Sequence, residues 1–227
     1  MGTIGFTWSY TAISFLLSGT ISVIVDIYSY RLWKKQPNNE VTYNFFMAMA
    51  FFALYFLYRG VASVLFAYHP AVLAAVYASS HIALGFFAAF LVNMGVAGIW
   101  PNYTFIAFVS TLGLMAVDIF YNIIYPNTPH FTAAHHIVEW GTNPLVGKMH
   151  TLMIGLPLLL VLGIFIYQAL KSWADRTLRV KTSVMIFSII VGFFGLVLRD
   201  VFPSVMSIFV SDLSYVFLMV VVAVFVV

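Results

Sequence analysis

The sequence predicts an all-α integral membrane protein of seven transmembrane helices. Three observations predict it. Of 227 residues, 63% are hydrophobic and only 7% are charged, against roughly 25% charged in a soluble domain. So few charges cannot coat a water-soluble globule of this size. The apolar residues form continuous runs of the ~20 residues that span a hydrocarbon core, without the alternation of a transmembrane β-strand. Breaks rich in proline and asparagine recur at helix-length intervals. At roughly 30 residues per span and loop, the chain holds about seven helices. It is read as one transmembrane domain, residues 1–227, with no room for a soluble domain.

The first helix is expected over about residues 4–30. Its apolar run is too long, and its start too poor in basic residues, for a cleavable signal peptide. Pro37-Asn38-Asn39 separates it from the second helix, 42–68, which stops at His69-Pro70. The third, 71–99, ends at Trp100-Pro101-Asn102. The fourth, 103–125, ends at Pro126-Asn127-Thr128-Pro129. A long connection over 126–147 precedes the fifth helix, 144–172. The sixth, 181–202, and the seventh, 204–227, flank Phe202-Pro203. The seventh closes on an apolar run, beyond which a natural chain often continues a little.

Orientation follows from the basic residues. Arg31, Lys34 and Lys35 lie between helices 1 and 2. Lys171, Arg176, Arg179 and Lys181 lie between helices 5 and 6. The opposite connections hold only Lys148. The positive-inside rule then places the N-terminus outside and the C-terminus inside, with the cell membrane as the expected location. Trp8, Trp33, Trp100, Trp140 and Trp173 fall near span ends, where interfacial anchors sit. The net charge of +3 reflects loops, not nucleic-acid binding. The absence of cysteine removes disulfides, thiolate metal sites, iron–sulfur clusters and thiol nucleophiles.

Helices 2–3 and 6–7 are weakly alike. Phe-Leu-Tyr-Arg59-Gly parallels Leu-Val-Leu-Arg199-Asp, each followed by a proline turn and a helix carrying a polar residue, His81 or Asp212. The pattern suggests a parallel repeat of three helices, a linker helix and three more. Repeats of this kind place ligand sites between the halves. Chance likeness between two apolar hairpins is the alternative.

Ionisable groups inside a bilayer cost about 2.5–3.5 kcal/mol each on insertion scales and need a partner or a watery cavity. At about 1.5 Å per residue from the outer helix ends, Arg59 and His81 lie about 16 Å deep, Asp212 about 13 Å, Asp118 about 12 Å and His150 about 9 Å. Arg199 and Asp200 sit higher, at the mouth of helix 6. These groups fall in one outer slab. Asp26 is the exception, near the inner end of helix 1, where it can meet Arg31 or water. The slab reads either as structural ion pairs, Arg59 with Asp118 or Asp212, or as a pocket binding a small ligand through Arg59, His81, Asp118, Arg199 and Asp212.

The outer loop 126–147 holds three of the six histidines. Thr132 can cap a short helix over about 133–140, which would place His135 or His136 on a face with Glu139. With His150 and one deeper ligand from His81 or Asp118, they would suit a divalent metal: zinc, copper or iron. The alternative is an amphipathic interfacial helix, its histidines among headgroups and Phe131, Ile137 and Trp140 in lipid. Haem between His81 and His150 is a third possibility. Retinal is excluded, because lysine occurs only at 34, 35, 148, 171 and 181, never inside helix 7. The zinc-peptidase motif, a phosphate loop and a nucleophile arrangement are also absent.

The reading that follows is an outward-facing pocket, lidded by the His-rich loop, that binds a small ligand or divalent metal. Its output would be sensing, or support of a larger membrane complex through other membrane subunits or a second copy of the chain. The rivals are a small transporter working at the repeat interface, a copper, iron or haem oxidoreductase subunit, and a structural subunit without a site.

Overall fold

The structure is a computed structural model that describes residues 6–141, 143–171, 175–202 and 204–226. Trp173, Pro203 and the expected helix start at residue 4 lie outside the described residues. The long helices are α1 (Tyr10–Lys35), α2 (Glu40–Leu65), α3 (Pro70–Ala97), α4 (Thr104–Ile124), α5 (Pro144–Lys171), α6 (Arg176–Val201) and α7 (Val205–Val226). All seven are long and apolar enough to cross a membrane. Their outward faces carry many exposed leucine, isoleucine, valine and phenylalanine side chains, a surface suited to lipid and not to water.

The helix ends are set by capping groups, and they differ from the ends of the apolar runs. Ser9 accepts from the Ala12 N–H, so α1 begins at Tyr10 and continues through its basic tail to Lys35. Asp175 accepts from the N–H groups of Thr177 and Leu178. That cap starts α6 at Arg176, five residues before the apolar run. Hydropathy marks where the hydrocarbon is, whereas caps mark where the helix is.

Consecutive helices pack side by side, α7 closes back on α1, and α3 also meets α5. α1 buries a stripe of small residues that includes Ser14, Ser18, Gly19 and Ser22. Gly19 lies against Leu57, and Gly60 against Leu16. This reciprocal fit brings the backbones of α1 and α2 close, as small residues do between membrane helices. α4 stands at the periphery and buries only one stripe: Thr111, Met115, Asp118 and Asn122.

The long connection is a β-hairpin, not the expected helix over 133–140. β1 (His130–Thr132) pairs antiparallel with β2 (Ile137–Glu139). The turn is closed by the His135 N–H to the Thr132 carbonyl, and His136 adopts φ 50°. β-branched Thr132, Ile137 and Val138 favour the extended form. Tertiary contacts fix it: Tyr10 N–H donates to the His136 carbonyl at 2.8 Å, and Val138 N–H to Thr11 Oγ1 at 3.2 Å. The hairpin plugs the bundle. Ile137, Val138 and Trp140 are buried within the protein, so Ile137 and Trp140 do not reach lipid as the interfacial-helix alternative required.

Candidate metal centre

Packing of small residues carries three ionisable side chains to one place. On α3, Gly85 leaves room for Met115 of α4. One turn further along each antiparallel helix stand His81 and Asp118. Gly147 of α5 lies against the backbone carbonyl of Asp200 in α6, where a Cβ would overlap the oxygen. His150 follows Gly147 by three residues, so it faces Asp200 and reaches inward.

His81, Asp118 and His150 are all buried. One ligand atom from each lies within 4.8 Å of the others. The His150 Nδ1 is 2.9 Å from Asp118 Oδ2, and the two imidazole centroids are 4.3 Å apart at 85°. His81 Nδ1 lies 2.6 Å from the Tyr77 carbonyl oxygen. A carbonyl only accepts, so Nδ1 carries a proton and donates. In the neutral ring the Nε2 lone pair is then free, and Nε2 is buried without a hydrogen-bond partner. His150 repeats this logic: Nδ1–H donates to Asp118, and Nε2 stands 3.8 Å from Asp200 Oδ2. In the neutral His150 ring both are acceptors, and Asp200 Oδ2 and Asp118 Oδ1 are also unpartnered. His81 Nε2, Asp118 Oδ1 and Asp200 Oδ2 are thus buried acceptors without a donor. His81, Asp118 and His150 could together hold a cation. The Tyr77 carbonyl behind His81 orients its ring as outer-shell groups do around a metal.

Comparison with known proteins finds no matching family model, no matching curated protein and no matching solved structure.

A ring of charge surrounds the three. Arg199 Nη1 donates to Asp212 Oδ1 at 2.7 Å, and Asp200, next to Arg199 in the chain, has Oδ2 3.8 Å from His150 Nε2. Ser14 of α1 donates to the Asp212 backbone carbonyl at 2.8 Å, fixing α7. Arg59 is only 2% exposed. Its guanidinium lies 4.6 Å from the Tyr55 ring centroid, 4.7 Å from Tyr77 and 5.0 Å from Trp140. Its Nε donates to Ser80 Oγ at 2.8 Å. Among the described residues no carboxylate lies within 4.0 Å of it, and its Nη2 has no partner. Three aromatic faces are its main compensation.

Of the residues singled out from sequence, Arg59, His81, Asp118, His150, Arg199 and Asp212 are buried together at the hairpin end of the bundle. His135 and His136 are exposed in the hairpin turn. Glu139 is half-buried and accepts from Thr132 Oγ1 at 2.7 Å, with His130 Nε2 at 3.9 Å. These loop groups stand apart from the three that gather around His150. The sequence reading left Asp200, Tyr77, Tyr55 and Ser80 outside the site. For the two tyrosines the signal was helical spacing: Tyr55 and Tyr77 precede Arg59 and His81 by four residues each. Trp140, read as a lipid anchor, covers Arg59 instead. Asp26 makes no ion pair with Arg31 among the described residues. The 4.3 Å spacing of the His81 and His150 rings is van der Waals contact and leaves no slab for a haem between them.

Proposed function

We propose that the chain is a membrane protein that binds one divalent first-row metal ion through His81, Asp118 and His150. It would use the ion in sensing, or as a subunit of a larger membrane complex. The observation that carries this reading is the buried cluster of two imidazoles and a carboxylate, with one ligand atom of each within 4.8 Å of the others, in which His81 Nε2 and Asp118 Oδ1 have no hydrogen-bond partner. That donor set suits zinc or iron(II). Ligand bonds of roughly 2.0–2.2 Å ask for side-chain shifts of about 1 Å to close on an ion.

The basic residues Arg31, Lys34, Lys35, Lys171, Arg176, Arg179 and Lys181 lie at the end of the bundle opposite the hairpin. By the positive-inside rule the centre then belongs to the outer half of the bilayer, with the N-terminus outside in the cell membrane. The 3+1+3 repeat remains part of the proposal. Arg59 on α2 and Arg199 on α6 occupy the same end of their helices and each lies on an aromatic ring.

Elemental analysis after loading with Zn²⁺ or Fe²⁺ and dialysis tests the metal. One ion per chain is expected. His81→Gln, Asp118→Asn and His150→Gln should each lower retention by about tenfold or more. Equal, substoichiometric metal in the wild type and these variants would refute it. A second reading rests on the Arg199–Asp212 pair: the same charges lock α6 to α7. It predicts loss of stability without any metal dependence.

A further inference from the structure

Between α6 and α7, at the end of the bundle opposite the hairpin, lies an open groove of about 530 Å³. Arg179, Ser183, Val184 and Phe187 of α6 line one side, and Val221 and Phe225 of α7 the other. Its origin is steric. Toward the hairpin the two helices approach closely, because Gly192 lies against Leu218 and Gly195 against Ser214 and Tyr215. Before Gly192 α6 has no glycine. There the Phe187 and Phe217 rings, 6.1 Å apart at 80°, stand between the helices at the deep end of the groove. Phe187 and Phe225 are each about half exposed.

Arg179, Ser183 and Phe187 follow one another at intervals of four residues. They therefore stand in a row along one side of α6, over roughly 12 Å. The row passes from a guanidinium through a hydroxyl to an aromatic ring. In a bilayer an outward-open apolar groove is filled by hydrocarbon chains, because an empty one forfeits dispersion contacts. The order of charge, hydroxyl and apolar wall is the order of phosphate, ester and acyl chain in a phospholipid. Arg176 adds a second guanidinium. It is exposed and precedes Val180 of the lining by four residues, so it continues the same side one turn nearer to water. Asp175 is the sole acidic residue between Lys171 and Arg199. Its carboxylate accepts from the N–H groups of Thr177 and Leu178 at 2.9 and 3.1 Å. Positive charge is thus in excess at the mouth of the groove. Guanidinium groups bind phosphate oxygens in bidentate fashion, and basic pockets between membrane helices hold anionic head groups.

We propose that the α6–α7 groove binds one anionic phospholipid of the leaflet at the basic end of the bundle. Its phosphate lies at Arg176 and Arg179, its ester groups at the level of Ser183, and one acyl chain along Val184, Phe187, Val221 and Phe225. Under the orientation proposed above this is the inner leaflet. The site is remote from His81, Asp118 and His150 and does not depend on a metal.

The experiment is native mass spectrometry of the full chain released from detergent micelles, which counts the lipid each chain retains. Phosphatidylglycerol is the anionic probe, and phosphatidylcholine with the same acyl chains is the neutral control. One phosphatidylglycerol per chain is expected, with phosphatidylcholine about tenfold weaker. Arg176→Gln/Arg179→Gln should bring phosphatidylglycerol down to the level of phosphatidylcholine. Ser183→Phe keeps both arginines but fills the groove, and should weaken both lipids. Arg31→Gln/Lys34→Gln/Lys35→Gln removes charge from the same end of the bundle but not from the groove, and should leave the first bound lipid in place. Equal retention of the two lipids by the wild type overturns the proposal. Retention unchanged in Arg176→Gln/Arg179→Gln or in Ser183→Phe does the same, as does an equal loss in the Arg31→Gln/Lys34→Gln/Lys35→Gln variant. A lipid-free dimer would make a second copy of the chain the occupant and would also overturn it. If Ser183→Phe fails to fold, Ser183→Leu decides.

Discussion

Asp212→Leu should be more damaging than Arg199→Met, although the two remove opposite ends of one ion pair. The pair is short, at 2.7 Å, and both side chains are buried. Removing either partner leaves a buried charge, which typically costs about 3–5 kcal/mol. A stranded carboxylate can escape by binding a proton, whereas a guanidinium cannot. Arg199→Met therefore belongs at or below the lower end of that range and Asp212→Leu at the upper end. The double variant should recover most of the loss. Arg199 Nε and Nη2 and Asp212 Oδ2 have no hydrogen-bond partners, so the pair is imperfectly satisfied and an apolar replacement forfeits little. Reversible unfolding in mixed micelles, as a four-member cycle, measures all of this. A double variant as unstable as the sum of the two singles would show that Arg199 and Asp212 do not compensate each other. Singles within about 0.5 kcal/mol of wild type would show that neither group is held away from water.

Gly147→Ala should destabilise by about 1–3 kcal/mol, because the new Cβ meets the backbone carbonyl of Asp200, which cannot swing away; thermal unfolding checks it, and an unchanged melting point would deny the close approach of α5 and α6. Trp140→Ala should cost about 3–5 kcal/mol and bare Arg59. Hydrogen exchange should then quicken across residues 130–139, and protection equal to wild type would show that Trp140 does not hold the hairpin down. His135→Ala/His136→Ala/Glu139→Ala together should leave bound zinc unchanged, measured by elemental analysis. Loss of the ion in that triple variant would return the centre to the hairpin.

The seven long apolar helices and the place of each ionisable group along its helix were legible because hydropathy and helix breakers act locally along the chain. Pro37, Pro70, Pro101 and Pro126 lie in or beside the connections between consecutive helices. The sequence likewise placed Arg59, His81, Asp118, His150, Arg199 and Asp212 toward one end of the bundle, since position along a helix needs only the helical rise. It did not show which of them touch. His81 and Asp118 meet because Gly85 admits Met115, and His150 faces Asp200 because Gly147 admits a carbonyl. Both are choices of helix azimuth and spacing made by a partner distant in sequence. The hairpin is the sharpest case. Residues 130–140 carry a capping threonine and helical spacing of His135 and Glu139. Their extended form depends on Tyr10 and Thr11 offering hydrogen bonds from α1. Local preference alone thus determined the number of spans. Contacts between segments far apart in the chain decided which buried groups gather around His81, Asp118 and His150, because a side chain's partners depend on where other backbones come to rest.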